Sequence, residues 1–173
     1  KRGQETIIPR GNDEIQVDDM VYAVCTRENK QFLREHLGKQ KRNIKNIIFF
    51  GGSKVAKRTV HNLPDDLNIK ILEADRDRCY QLSETINNAL IINADGSDMS
   101  VLKDEGIEDA DAFVAVTDSS EANIFACMAA KRFGVKKTIA EVENIDYIAM
   151  AEGLEIGAVL NKKTIAASYI YQM

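Results

Sequence analysis

The stretch Ile47-Ile48-Phe49-Phe50-Gly51-Gly52-Ser53-Lys54-Val55-Ala56 decides how the rest of the chain is read. Four large apolar residues without alternation suit a strand covered on both faces. They run directly into two glycines, and a helical stretch begins at Lys54. The spacing is that of a G-x-G-x-x-G/A phosphate loop, with Gly51 first, Ser53 second and Ala56 third. Gly51 permits the tight turn, and Ala56 lets the helix pack close to a sheet. Backbone N–H groups around Gly52, Ser53, Lys54 and Val55 would then face a pyrophosphate, helped by the helix dipole. Ser53 departs from the pattern, because the second glycine exists to let phosphate approach bare backbone. A serine takes up that room but offers a hydroxyl donor, and Lys54 offers positive charge or simply a solvated side chain. Alone, such a loop is a weak signal; its surroundings decide.

Outward from this loop the chain alternates regularly between strand and helix. Strand candidates lie at 47–50, 69–72, 89–92, 112–116 and 138–142, with a weaker sixth at 158–160. Helical stretches fall at 54–63, 77–85, 100–105, 121–133 and 145–151, and a last one at 162–171. Alternating β and α units with apolar strands predict an α/β fold, a doubly wound, parallel, six-stranded sheet with right-handed crossovers, Rossmann in type. In such sheets the ligand crevice lies at the carboxyl ends of the strands. Glu73, followed by Ala74, ends the second strand at the spacing where an acidic residue binds ribose hydroxyls and repels a 2′-phosphate. The other reading of Glu73 is an exposed strand end. Asp95 and Gly96 follow the third strand, where Asp95 either accepts from the adenosine end of a ligand or caps the next helix.

Residues 1–40 read differently. Glu5-Thr6-Ile7-Ile8, stopped by Pro9, and Met20-Val21-Tyr22-Ala23-Val24-Cys25 are strand candidates, separated by the turn chemistry of Arg10-Gly11-Asn12-Asp13. A short amphipathic helix over 28–37 ends at Gly38. Two strands and a helix are too little for an independent core. The expectation is a small partial α+β fragment, the end of a preceding domain, joined by the basic linker Lys39-Gln40-Lys41-Arg42-Asn43 to a Rossmann domain over 41–173.

Composition narrows the function classes. A hydrophobic fraction of 45%, a charged fraction of 29% and a net charge of -4 describe a globular chain without a general field for nucleic acid. Trp is absent and aromatics are 6%, which leaves little for base stacking. Cys25, Cys79 and Cys127 are isolated and read as reduced core or near-core thiols; with His36 and His61 the only histidines, no zinc spacing occurs. No run approaches the roughly 20 apolar residues of a membrane span, and the first residues lack the hydrophobic core of a signal peptide.

Three further segments carry a family resemblance: Ile92-Asn93-Ala94-Asp95-Gly96-Ser97-Asp98, Ile107-Glu108-Asp109-Ala110-Asp111-Ala112-Phe113-Val114-Ala115-Val116-Thr117, and Glu121-Ala122-Asn123-Ile124. Together they resemble the RCK/KTN nucleotide-binding domains that regulate potassium transporters and channels. The front segment resembles the closing strands of that family's effector domain, and the order is that of the second nucleotide-binding half in tandem TrkA-type proteins. The resemblance implies that Thr117 and Asp118 lie in a loop approaching the cofactor and that Asn123 serves the same pocket. It implies NAD(H) or ATP/ADP as ligand and a homo-oligomer assembled through Rossmann domains. A regulatory rather than enzymatic role follows, at the cytoplasmic face of the membrane, peripheral to a potassium-translocating subunit. Two departures stand against the pattern: Ser53 in place of glycine, and Glu141 where many members carry a phosphate-pairing arginine. They keep open a structural assembly half with a lapsed pocket, and an NAD-dependent dehydrogenase fragment is a further alternative. The apolar set of the last helix, Ile165, Ala166, Ala167, Tyr169 and Ile170, suits either a partner surface or packing on its own sheet.

Overall fold

Covering on both faces is what the apolar run at 47–50 demands, and the computed structural model provides it; residues 1–3, 5–37, 43–154 and 156–171 are described. The run forms β1 (Asn46–Phe50), central in a six-stranded parallel sheet. In chain order β1 is followed by α2 (Lys54–His61), β2 (Asn68–Glu73), α3 (Arg76–Ser83), β3 (Leu90–Asn93) and α4 (Met99–Asp104), α1 (Lys30–His36) lying before it. Next come a single 3₁₀ turn (Ile107–Asp109), β4 (Ala112–Ala115), α5 (Ser120–Arg132), β5 (Lys137–Glu141), α6 (Ile145–Gly153), β6 (Ala158–Leu160) and α7 (Lys162–Tyr171). The strand order β3-β2-β1-β4-β5-β6 is the doubly wound order, with every pair parallel. All six expected strands form with ends within one residue of the sequence reading, and the helices within two.

Pleat alternation divides the core between the faces. Ile47, Phe49, Ile69, Ile71 and Val116 pack with Ala56 and Val60 of α2 and Leu82 of α3. Ile48, Phe50, Phe113, Ala115, Ala140 and Val142 pack with α5 through Ile124, Ala126, Cys127 and Ala130. Three small residues in that stripe let α5 lie close to the sheet, and Phe113 is fully enclosed beneath it. Asp111 fixes the start of the central strand, its carboxylate accepting from Lys45 N–H at 2.8 Å and Asn46 N–H at 3.0 Å. These bonds, Asn46's first and Lys45's second, hold its carboxyl below the ordinary carboxylate value.

The chain divides into two units, Lys1–Asn43 and Ile44–Met173. Within the first, the two expected strands do not form. Only an isolated antiparallel bridge links Arg2 and Glu5, and Ile8, Val21, Tyr22 and Val24 are exposed. Apolar runs of this kind become strands only with a neighbour to complete the ladder, and none lies within this unit among the described residues. A two-point ion pair orders the segment instead, Arg2 Nε and Nη2 reaching the Asp19 carboxylate at 2.9 and 2.7 Å. The helix expected at 28–37 is present as α1; its stop at Gly38 and the linker at 39–42 lie outside the described residues. Cys25 corrects another expectation: it is exposed, whereas Cys79 is half-buried and Cys127 buried, its thiol pushed up to about 12 by desolvation. In the second unit, α7 buries none of its residues, so its apolar set does not pack on its own sheet.

Truncating Phe113 to alanine should cost about 3–5 kcal/mol, read as a lowered urea midpoint with unchanged slope. Asp111→Asn should lower stability at neutral pH. Because the folded carboxyl titrates below its ordinary 3.8, this contribution is complete above that pH and disappears as pH falls through the lowered folded value. Urea midpoints of parent and variant should therefore converge in acid; a constant gap would refute the assignment.

Candidate functional site

The carboxyl ends of all six strands share one edge, and the order reverses direction between β1 and β4. In doubly wound sheets ligands bind at that switch point, beside the loops leaving the two strands. Gly51 lies at this point with φ at +97°, its N–H donating to Leu72 C=O at 2.9 Å. A Cβ there would lie 2.8 Å from Thr117 Cγ2 and 3.0 Å from Thr117 N, so the β1 and β4 loops touch at this point. Gly52 is confined differently, since a Cβ would run into Leu82 of α3. Its N–H donates to Glu73 Oε2 at 2.8 Å, while Asp75 N–H donates to Glu73 Oε1 at 2.9 Å.

Glu73 is only 8% accessible, which sets aside the exposed-strand-end reading. Each oxygen takes one backbone donor and retains capacity for a second. The carboxylate is therefore held in one orientation, still able to accept from a vicinal diol. Asn93, which the sequence reading passed over, reinforces the strand end by donating to Glu73 C=O at 3.0 Å and Ala74 C=O at 2.9 Å. Ala74 itself is exposed beside this pair.

Ser53 caps α2, its Oγ accepting from Ala56 N–H at 3.4 Å, in extended backbone with φ at -66°. No left-handed geometry demands glycine there, so serine is accommodated without strain. Val55 is half-buried in the core and offers the crevice only backbone. Lys54 is exposed and lines a groove along α2 with Lys57, Arg58 and His61. His61 ends that helix, one helix length from the loop at which α2 begins.

Asp95 Oδ1 accepts from Ser97 N–H at 2.9 Å and Ser97 Oγ at 2.7 Å, closing a turn before α4. The cap of α4 is Asp98, accepting from Ser100 N–H at 2.8 Å, so the capping alternative for Asp95 is corrected. Gly96 is buried under the Phe50 ring. Asn123 is fully buried, and its amide is committed on every side. Oδ1 accepts from Thr117 N–H at 3.0 Å and Thr117 Oγ1 at 2.7 Å; Nδ2 donates to Thr117 C=O at 3.0 Å and Glu141 C=O at 2.9 Å. With two donors and two acceptor positions used, Asn123 positions Thr117 and has no bonding capacity left for a ligand. Asp118 is exposed and faces Arg78 Nη1 at 3.8 Å, a contact between the β4 loop and α3 that no local pattern announced.

The far side of the edge carries a second ionic arrangement. Glu141, 3% accessible, meets Lys162 Nζ with Oε1 at 2.6 Å, and Lys162 also reaches Glu143 at 3.1 Å. Glu141 first and Glu143 second hold the ammonium above the ordinary lysine value. The two partners are 21 positions apart and meet only because β6 brings the start of α7 beside β5.

Residues 47–162 match the model of the TrkA-N domain family. The Trk system potassium uptake protein TrkA of Halomonas elongata is 32% identical over 155 residues, covering 90% of this chain and 34% of that protein. The chain spans between 34% and 43% of the curated relatives' lengths. Among solved structures, the TrkA-N domain of inner membrane protein YbaL from Escherichia coli superposes with a TM-score of 0.66 at 13% identity, covering 76% of this chain and 98% of that one. A GsuK channel bound to NAD superposes at 0.57 and 14% identity, over 75% and 24%. These structural likenesses carry the fold alone. With the matched segment running from β1 to the first residue of α7, the chain belongs to the TrkA-N domain family.

Proposed function

We propose that the chain is a regulatory, non-enzymatic module of a potassium-uptake system, binding NAD(H) or an adenine nucleotide along the carboxyl edge. The observation that carries this reading is the Glu73 carboxylate, fixed by Gly52 and Asp75 N–H groups beside the Gly51 turn. A ribose diol adds to the free lone pairs of Glu73 while the phosphates lie over the start of α2. A 2′-phosphate would meet that carboxylate, which favours NAD(H) over its phosphorylated form. The relatives support the setting: curated ones are named as Trk potassium uptake proteins, and similar folds occur in a GsuK channel bound to NAD and a Kef C-terminal domain in AMP-bound form.

The module acts at the cytoplasmic face on a potassium-translocating membrane subunit, as a homo-oligomer joined through its Rossmann domains. Ile165, Tyr169 and Ile170 of α7 are exposed and available to such an assembly. Ligand binding gates the transporter only to the extent that affinity differs between its two arrangements. Asn123 offers the mechanical link, because it ties the Thr117 loop to the end of β5. The dehydrogenase reading lacks support here, with His61 at the distal end of α2 and His36 in α1. The lapsed-pocket reading draws on the acidic Glu141 corner.

Isothermal titration calorimetry with NAD+, NADH, ATP and ADP tests the proposal. Saturable binding is expected with at least one of them, weakened about tenfold in Glu73→Gln, with NADP+ weaker than NAD+ by a similar factor. No heat with any of the four from folded protein would sink the nucleotide reading in favour of the structural assembly half.

A further inference from the structure

Four basic side chains stand on one stripe of α2. Lys54, Lys57, Arg58 and His61 recur at helical spacing, opposite the buried Ala56 and Val60. They line a groove of about 630 Å³ whose far bank is the segment between α3 and β3, with Thr85, Asn87 and Asn88. That bank is tied to α2, because Asn88 Nδ2 donates to Val60 C=O at 3.2 Å and to Asp65 Oδ1 at 3.4 Å. Gly51, Glu73 and Thr117 do not line this groove, which is therefore separate from the loops at the carboxyl edge.

The helix gains nothing from this arrangement. Lys54 stands in the first turn, where the helix dipole disfavours cations, and no acidic residue balances it there. Lys57 and Arg58 lie three and four positions beyond Lys54, and like charges at that spacing repel. Among the described residues, none of these three forms an ion pair. Asp65 is the one carboxylate lining the groove, against three permanent cations, in a chain whose net charge is -4. A cluster of cations that works against its own helix is matched by an anion from outside.

Size and lining restrict that anion. The 8 residues of α2 give it a length of about 12 Å, which suits a compact ligand rather than a nucleic-acid track. Ile86, the single apolar residue lining the groove, is itself buried, so no apolar pocket is open to the anchor of a peptide. Ammonium and guanidinium groups beside amide and hydroxyl donors suit several phosphates held close together.

We propose that the groove between α2 and the α3–β3 segment binds a compact, soluble polyphosphate anion, with Lys57 and Arg58 as its central charge partners. The site does not depend on nucleotide binding at the carboxyl edge.

Calorimetric titration with tripolyphosphate in low salt is the test, comparing the parent with Lys57→Gln/Arg58→Gln. Lys131→Gln/Lys137→Gln, which removes the same charge from exposed positions elsewhere, is the control, and circular dichroism confirms that each protein is folded. The parent should bind saturably, the groove variant about tenfold or more weakly, and the control within about twofold of the parent. Binding that neither variant weakens would put the anion elsewhere, at the Gly51 loop for one, and overturn the assignment. Equal weakening in both variants would reduce it to bulk charge and overturn it too. So would folded parent that gives no heat, including the case in which it sediments with phosphatidylserine-containing vesicles through Lys57 and Arg58, since the cations would then serve a lipid surface.

Discussion

Two backbone N–H groups from different loops converge on the Glu73 carboxylate, and the carboxyl edge is organised around that convergence. Gly52 belongs to the loop leaving β1 and Asp75 to the cap of α3, so one buried side chain joins the glycine loop to the next β–α connection. The join works only because Gly52 has no Cβ and Leu82 can close over it. A carboxylate in so enclosed a place would be expensive if its bonding were incomplete; here each oxygen is anchored and each remains open to one more donor. The Glu73 carboxylate is thus held in one orientation by the chain's own backbone.

The same principle governs the other half of the sheet, where buried polar side chains tie down strand ends. Asn123 joins the Thr117 loop to Glu141 C=O, and Asn161 donates to Val142 C=O at 2.7 Å and Glu143 C=O at 3.2 Å. Thr138 reaches Ile156 C=O on the way into β6. Every one of these acceptors would otherwise be a carbonyl released by a strand end with no ladder to receive it. Against that background the unpaired Oε2 of Glu141 stands out, since no other buried side-chain nitrogen or oxygen among the described residues lacks a partner.

What was legible in the sequence was whatever depended on periodicity and punctuation. The apolar run at 47–50, the glycine pair after it and the alternation beyond sufficed for the six-stranded doubly wound sheet, and β6 and α7 fall at the expected residues. The position of Glu73 at the end of β2 was legible because its distance from the loop is set by one β–α–β unit. Bonds made by side chains at longer range were not. Asn123 carries the same letters whether it touches a ligand or a loop, and only its four hydrogen bonds distinguish the cases. Asp95 and Asp98 compete for one cap, and the winner depends on where α4 begins. Lys162 finds Glu141 through tertiary placement alone. The runs at 5–8 and 20–25 failed for the opposite reason: their letters suit strands, but a ladder needs a partner that their own unit does not contain among the described residues.

The contact between Gly51 and Thr117 is lopsided in its consequences for sequence drift. A side chain at position 51 would be opposed not only by Thr117 Cγ2 but also by Thr117 N at 3.0 Å and Cα at 3.1 Å, and its backbone sits at a φ of +97°. Shrinking residue 117 would remove the methyl and leave the backbone obstacle in place. No compensating substitution at 117 can therefore release the glycine. Position 117 is free of any such reciprocal constraint from its partner, which has no side chain to accommodate. Of two residues in mutual contact, one is fixed by the path of the main chain and the other by the bond of its hydroxyl to the buried Asn123, so the two positions are constrained for independent reasons.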